Sequence, residues 1–214
     1  MLRASPRPHP RMRIATLVLV ATAAAAALPA APALAADRSA PARSDHHDRS
    51  AQKRAAAAAA CADANLVPTP ANLGRIATAT LCLINQQRAA AGLPALRSNT
   101  ALSTAASQHS ADMVAKNYFD HVSPSGSTPQ SRMTAVGYVK PNHAWTIGEN
   151  IAAATGSLAT PASIVTLWMN SPGHRANILR PAFRDTGIGA VATAPTSIGS
   201  GPGATYTEDF GATS

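Results

Sequence analysis

The chain has 214 residues, a formal net charge of +8 and only 4% aromatic residues. That length suits one ordinary domain with additional segments. Its basic residues are not clustered with aromatics, which argues against a nucleic-acid-binding protein.

Residues 1–13 hold Arg3, Arg7, Arg11 and Arg13 and no acid; residues 14–28 form an apolar run rich in Ala, Leu and Val; Pro29 and the small-residue stretch Ala33-Leu34-Ala35 follow. Basic, apolar and cleavable parts in that order read as a secretory signal peptide over residues 1–35. A membrane anchor is the competing reading. The apolar run has 15 residues (14 to 28), seven of them alanine, fewer than the roughly 20 that span a bilayer, so no stable membrane span is expected. Removal of residues 1–35 takes four positive charges away and leaves the chain near +4 (8 − 4). The expected location is extracellular or cell-wall associated, with a weak attraction to anionic wall polymers.

Residues 36–60, ADRSAPARSDHHDRSAQKRAAAAAA, mix charges with small side chains and have little to bury. They read as a disordered basic linker, with His46 and His47 as a solvated pair more than a metal site. Cys61 and Cys82 are the only cysteines. In an exported chain an isolated pair reads as a disulfide. The bond closes a loop of 22 residues (61 to 82 inclusive) and staples the segment 61–78 to a domain expected over 79–214.

Within the domain, apolar residues from Leu73 to Ala91 recur at helical spacing, and Gly92 and Pro94 stop the run. Ser98, Asn99 and Thr100 offer a cap for a second helix with Leu102, Ala105, His109 and Met113 on one stripe; His109 reads as a core histidine. Residues 119–129 form a loop by their Ser, Pro and Gly content, and a short helix fits 129–136. Residues 145–154 read as a strand, or as an extended segment entering a helix. Residues 160–170 form a helix with Pro161 at its start. Residues 186–194 and 205–212 read as strands joined through a Gly-Pro turn region at 199–203. Helices first and adjacent strands last indicate an α+β class with an antiparallel sheet covered by helices.

The stretch WMNSPGHRANIL (168–179) interrupts one helix and restarts another. The residue before a proline is pushed out of the α region, which an N-cap needs, and serine caps well. Ser171 is therefore expected as cap, Pro172 as first helical residue and His174 in the first turn. There the helix dipole disfavours imidazolium, and a neutral imidazole can ligate a metal or accept a hydrogen bond. A corner histidine satisfied by backbone carbonyls fits the stretch equally well. No nucleophile elbow, phosphate-binding loop or zinc-binding HExxH occurs, and GIGAVA (187–192) is a glycine-containing strand rather than a dinucleotide fingerprint, because no helix follows it.

Taken together and in order, LINQQRAAAGLPAL, FDH, GENIA, W..SPGHRANIL, GIG and YTEDFG resemble the CAP superfamily of cysteine-rich secretory proteins, plant pathogenesis-related proteins and venom allergens. The resemblance covers about residues 79–212 and is nearest the short exported bacterial branch. It implies an α-β-α sandwich with a central antiparallel sheet and a large open cleft holding two histidines and two glutamates. Carried over by motif, these are His121, His174 and Glu149. The second glutamate departs: its place, three positions after the helix tryptophan, is Ser171. Glu208 is left between a cleft position and a wet sheet edge, with the edge favoured.

The resemblance implies sterol, lipid or cell-surface ligands and no single reaction. The missing glutamate and the absence of a nucleophile motif favour a non-catalytic binding module for a lipid, sterol or cell-envelope ligand. A metal-dependent hydrolase acting on peptide or cell-wall material and a structural envelope protein are the alternatives. Two imidazoles make an incomplete metal site, so His121 and His174 are expected to bind a divalent metal such as zinc weakly, with Glu149 orienting a histidine or a water.

Overall fold

The structure, a computed structural model, describes residues 61–199 and 201–214; the expected signal peptide and linker, with His46 and His47, lie outside them. Helix α1 spans Leu73–Ala90 and buries Ile76, Ala79, Leu83 and Ile84. It ends where Gly92 takes a positive φ of 72°, a conformation glycine adopts without a Cβ penalty. Cys61 and Cys82 are joined, tying the segment before α1 to the middle of that helix.

A two-residue strand not anticipated from the sequence, β1 (Arg97–Ser98), precedes helix α2 (Thr100–Ala115). Asn99 caps α2 by accepting from the Leu102 N–H. Helix α3 (Pro129–Ala135) starts in a reciprocal capping box between Thr128 and Ser131. Strand β2 runs Trp145–Thr155 without turning into an α-helix; a 3₁₀ turn at Gly156–Ala159 follows it. Helix α4 (Pro161–Asn170) is capped by Thr160, and helix α5 (Pro172–Ile178) restarts immediately after Ser171. Strands β3 (Asp185–Val191) and β4 (Gly203–Thr213) complete the domain.

The sheet has the order β1-β3-β4-β2. β4 pairs antiparallel with both β2 and β3, and only the short β1 joins parallel, to β3. Residues alternate between faces. One face carries Ala152, Ala154, Ile188, Tyr206 and Phe210, which pack into the main core with Ile76, Ile84, Ile164 and Trp168 from α1 and α4. The other face is covered by α2. Gly187 and Gly189 make that possible: a Cβ on Gly187 would stand 2.0 Å from the Ser103 nitrogen, and one on Gly189 2.1 Å from the Ser107 nitrogen. The GIG stretch is thus a seat for a helix backbone. Helices on both faces of one sheet make an α-β-α sandwich.

Arg88 is fully buried in α1. Its guanidinium donates to the carbonyls of Pro94, Ile178, Arg180 and Phe183, so one cation collects acceptors from three stretches of chain, including the open C-terminal end of α5. Burial of that cation is compensated by oriented carbonyl dipoles, which is how a lone buried charge is tolerated.

Candidate functional site

The GEN triplet on β2 sends alternate side chains to opposite faces. Gly148 lets the far layer approach: a Cβ there would lie 2.8 Å from Phe183 Cζ and 3.2 Å from Asn177 Oδ1. Asn150 points the same way and donates to the His174 carbonyl at 3.1 Å. Asn177 donates to Asn150 Oδ1 at 2.9 Å and to the Glu149 carbonyl at 3.2 Å, and Trp168 Nε1 donates to the Ile151 carbonyl at 3.1 Å. β2 is an outer strand of the sheet. Two successive edge-facing carbonyls, 149 and 151, are therefore closed by side chains of α5 and α4 in place of another strand. These bonds fix where α5, and hence His174, sits.

Glu149 faces the α2 side. Its Oε1 accepts from His121 Nδ1 at 2.7 Å and its Oε2 from Arg132 Nη2 at 2.7 Å. Arg132, buried on α3, also donates to the carbonyls of His121 at 3.0 Å and Ser127 at 2.9 Å. One guanidinium thus pins both ends of the loop that carries His121 and pairs the carboxylate beneath it. His109 from α2 completes the surroundings, with Nε2 at 3.8 Å from Glu149 Oε1, and is fully buried as the sequence stripe expects. Among the described residues its Nε2 and Arg132 Nε lack hydrogen-bond partners.

The charges are set by these contacts. Burial pushes the Glu149 carboxyl up, but the His121 hydrogen bond and the Arg132 charge outweigh it and hold it below its ordinary value. The Glu149 hydrogen bond raises His121 against the opposing effect of burial. His174 is lowered, first by burial and then by the charge of His121. Burial also lowers His109, with Glu149 opposing. A carboxylate only accepts, so His121 Nδ1 is the donor and Nε2 is the ring atom left for other partners. The His121 side chain is 45% exposed while Glu149 is 2% exposed: the imidazole presents itself to solvent and the carboxylate stands behind it. Phe119 and Val122, on either side of His121, are 38% and 45% exposed. A cavity of ≈ 220 Å³ is lined by His109, Arg132, Asp112, Lys116, Ser123 and Ser127 among others; neither His121 nor His174 lines it.

Of the residues singled out from the sequence, His121 and Glu149 are in contact, and His174 is coupled to His121 electrostatically. Ser171 differs from expectation. Its backbone is extended, with φ −98° and ψ 120°, and opens α5 as the pre-proline position requires, but its hydroxyl makes no capping bond. Glu208 differs more: β4 is an interior strand, and Glu208 is fully buried against the α1 layer, accepting from Thr186 at 3.1 Å. Burial raises its carboxyl well above the ordinary value, with that hydrogen bond opposing. It lies neither at a wet edge nor on the Glu149 face. Sequence reasoning misses Arg132 and Asp209. Arg132 sits in a polar helix whose sequence shows no motif, and Asp209 becomes visible only through register, opposite Glu149. Among the described residues no group of three or more His, Cys, Asp or Glu side chains is arranged to hold a metal ion.

Comparison with known proteins agrees with this architecture. Residues 81–198 match the model of the cysteine-rich secretory protein family, CAP. Uncharacterized protein YkwD of Bacillus subtilis (strain 168) is 43% identical over 109 residues, 51% of this chain and 40% of that protein. An extracellular protein containing an SCP domain from Bacillus anthracis str. Ames has a solved structure that is 29% identical, with TM-score 0.52, over 67% of this chain and 43% of that one. An outer surface protein from Borrelia burgdorferi shares the fold at 18% identity and TM-score 0.50, over 61% of this chain and 87% of that one. The chain spans less than half the length of the two Bacillus proteins.

Proposed function

The chain belongs to the cysteine-rich secretory protein family, CAP, and from that premise we propose that it is an extracellular binding module whose open cleft takes an amphipathic cell-envelope ligand, a lipid or sterol, without turnover. The carrying observation is the state of Glu149. Both of its oxygens are taken, by His121 and Arg132, and it is buried. A general base needs a carboxylate within reach of a substrate proton; this one is spent on holding an imidazole. The half-exposed His121 between exposed Phe119 and Val122 offers a polar tip with apolar flanks, which suits a ligand with a hydrogen-bonding head and a greasy body. Secretion through residues 1–35, with 36–60 as tether, completes the reading. Among the described residues no helix is long and apolar enough to cross a membrane.

The test is co-sedimentation with vesicles of anionic phospholipid, with and without sterol, together with incubation on casein, peptidoglycan and lipid esters. Retention by the wild type, weakened by Phe119→Ser with Val122→Ser, is expected. Product formation that disappears in His174→Ala would instead make it an enzyme.

One observation favours a second, metal-dependent reading. A carboxylate that receives the Nδ1 proton of a histidine is the usual outer partner of a metal-binding imidazole, and His121–Glu149 has that geometry. His121 and His174 supply two nitrogen donors, which fit a weak, exchangeable divalent site and not a closed structural one. When bound, a metal such as zinc would supply Lewis acidity; the chain's own part is to orient His121 and keep His174 neutral. Zinc calorimetry on wild type, His121→Ala and His174→Ala checks it: heat should fall in both variants, and in the wild type as pH drops, because protonated imidazole cannot ligate.

A further inference from the structure

Two acidic side chains are buried together on the α2 face of the sheet. Glu149 on β2 and Asp209 on β4 are register partners in the antiparallel pair, so they leave the same face, with Cβ atoms about 5 Å apart. Glu149 has its two donors. Asp209 is fully buried, and among the described residues neither of its carboxyl oxygens meets a hydrogen-bond donor. An ionised Asp209 would hold a desolvated charge with no donor, directly across from a second carboxylate. Protonation costs far less than that. The polar group at hand is Glu149, which as a carboxylate only accepts. A hydrogen bond between them needs its proton on Asp209.

We propose that Asp209 is a positioning residue: a neutral carboxylic acid that donates its proton to the Glu149 carboxylate and, through it, holds His121 at the cleft. The candidate site then carries one carboxylate charge and not two. A second carboxyl does stand beside Glu149, but it comes from the interior strand β4 and not from the position of Ser171. The arrangement is independent of which ligand the cleft takes, so failure of lipid binding leaves the tests below untouched.

The groups around the pair are consistent with this. Arg132 from α3 faces Glu149 and offsets its charge, His121 from the loop and His109 from α2 flank it, and Glu208 lies on the neighbouring position of β4 with its side chain through the sheet. Burial pushes Asp209 well above the aspartate range, the Glu149 charge adds to that, and Arg132 opposes it. The linkage follows in sign. The folded protein keeps a proton that the unfolded chain releases, so this group's contribution to stability falls as pH rises above the ordinary aspartate range near roughly 4. The amide introduced by Asp209→Asn does not titrate and keeps an N–H donor toward Glu149.

The experiment is a carbon-13 carboxyl NMR titration of the full chain, with urea unfolding of wild type, Asp209→Asn and Asp209→Ala across the same pH range. One aspartate resonance, absent in Asp209→Asn, should remain that of the protonated acid at a pH where the exposed aspartates have ionised. The urea midpoint of Asp209→Asn relative to wild type should climb with pH, and Asp209→Ala should lie below Asp209→Asn throughout. If Asp209 titrates alongside the exposed aspartates, if the midpoint difference is flat or falls with pH, or if the Ala and Asn variants are equal, the assignment is overturned. The wild-type titration decides the matter even if a variant fails to fold.

Discussion

Arg132 shows how much of this site depends on one cation. Its guanidinium spans Glu149 Oε2, the His121 carbonyl and the Ser127 carbonyl. Removing it leaves a buried carboxylate with His121 as its one remaining charged donor, and breaking a buried pair from one side costs about 3–5 kcal/mol. Arg132→Leu should lose that much in urea unfolding. The same change should move the His121 imidazole titration upward, because the Arg132 charge is one of the influences that lower it. A loss under about 1 kcal/mol, in the range of an exposed pair, would mean that Glu149 finds another donor.

At the scale of elements, glycines decide which layers touch. The contact between α2 and β3 leaves no room for a methyl group at Gly187, whose added Cβ would meet the backbone of Leu102 and Ser103 at 2.1 and 2.0 Å. Backbone atoms in a helix cannot step aside as a side chain does. Gly187→Ala should therefore cost at least about 2 kcal/mol through overpacking. Gly173, in the first turn of α5, has nothing within 4 Å of an added Cβ. Gly173→Ala should stabilise by about 0.5–1 kcal/mol, since glycine is an expensive helix residue. Thermal unfolding of the two variants side by side tests the pair; a similar loss in both would show that the spacing of α2 and β3 is not what limits position 187.

Taken as a whole, the domain is a sheet held between two helical layers, with the Cys61–Cys82 bridge tying the segment before α1 to the middle of that helix. The bridge spans a sequence separation of 21 and is backed by the Arg75–Asp63 ion pair on the same segment. Closing a loop of this size restricts the unfolded chain by roughly 3 kcal/mol in the chain-entropy model. Cys61→Ser with Cys82→Ser should lose about that much stability by urea unfolding. A loss near zero would place the stapled segment outside the cooperative unit.

Helix ends are legible in the sequence because their causes are local. Thr160 before Pro161, Asn99 before Thr100 and Gly92 after α1 act within a few residues, and the cysteine pair needs only its compartment to be read. His121 and His174 are singled out through motif resemblance, since 53 positions of sequence separate them (174 − 121) and no local signal links the two. Ser171 marks the limit of local reasoning: the pre-proline backbone is as expected, but whether a hydroxyl finds an N–H depends on its rotamer and neighbours. Glu208 and Asp209 mark it more sharply. Adjacent in sequence, they go to opposite faces, one toward Arg88 and Thr186 and the other toward Glu149 and Arg132. Their burial follows from β4 being an interior strand, and their partners from its register with β2 and β3. Strand order and register are settled by packing between segments far apart in sequence, so periodicity could say that the two carboxyls part, but only the tertiary structure decided what each one meets.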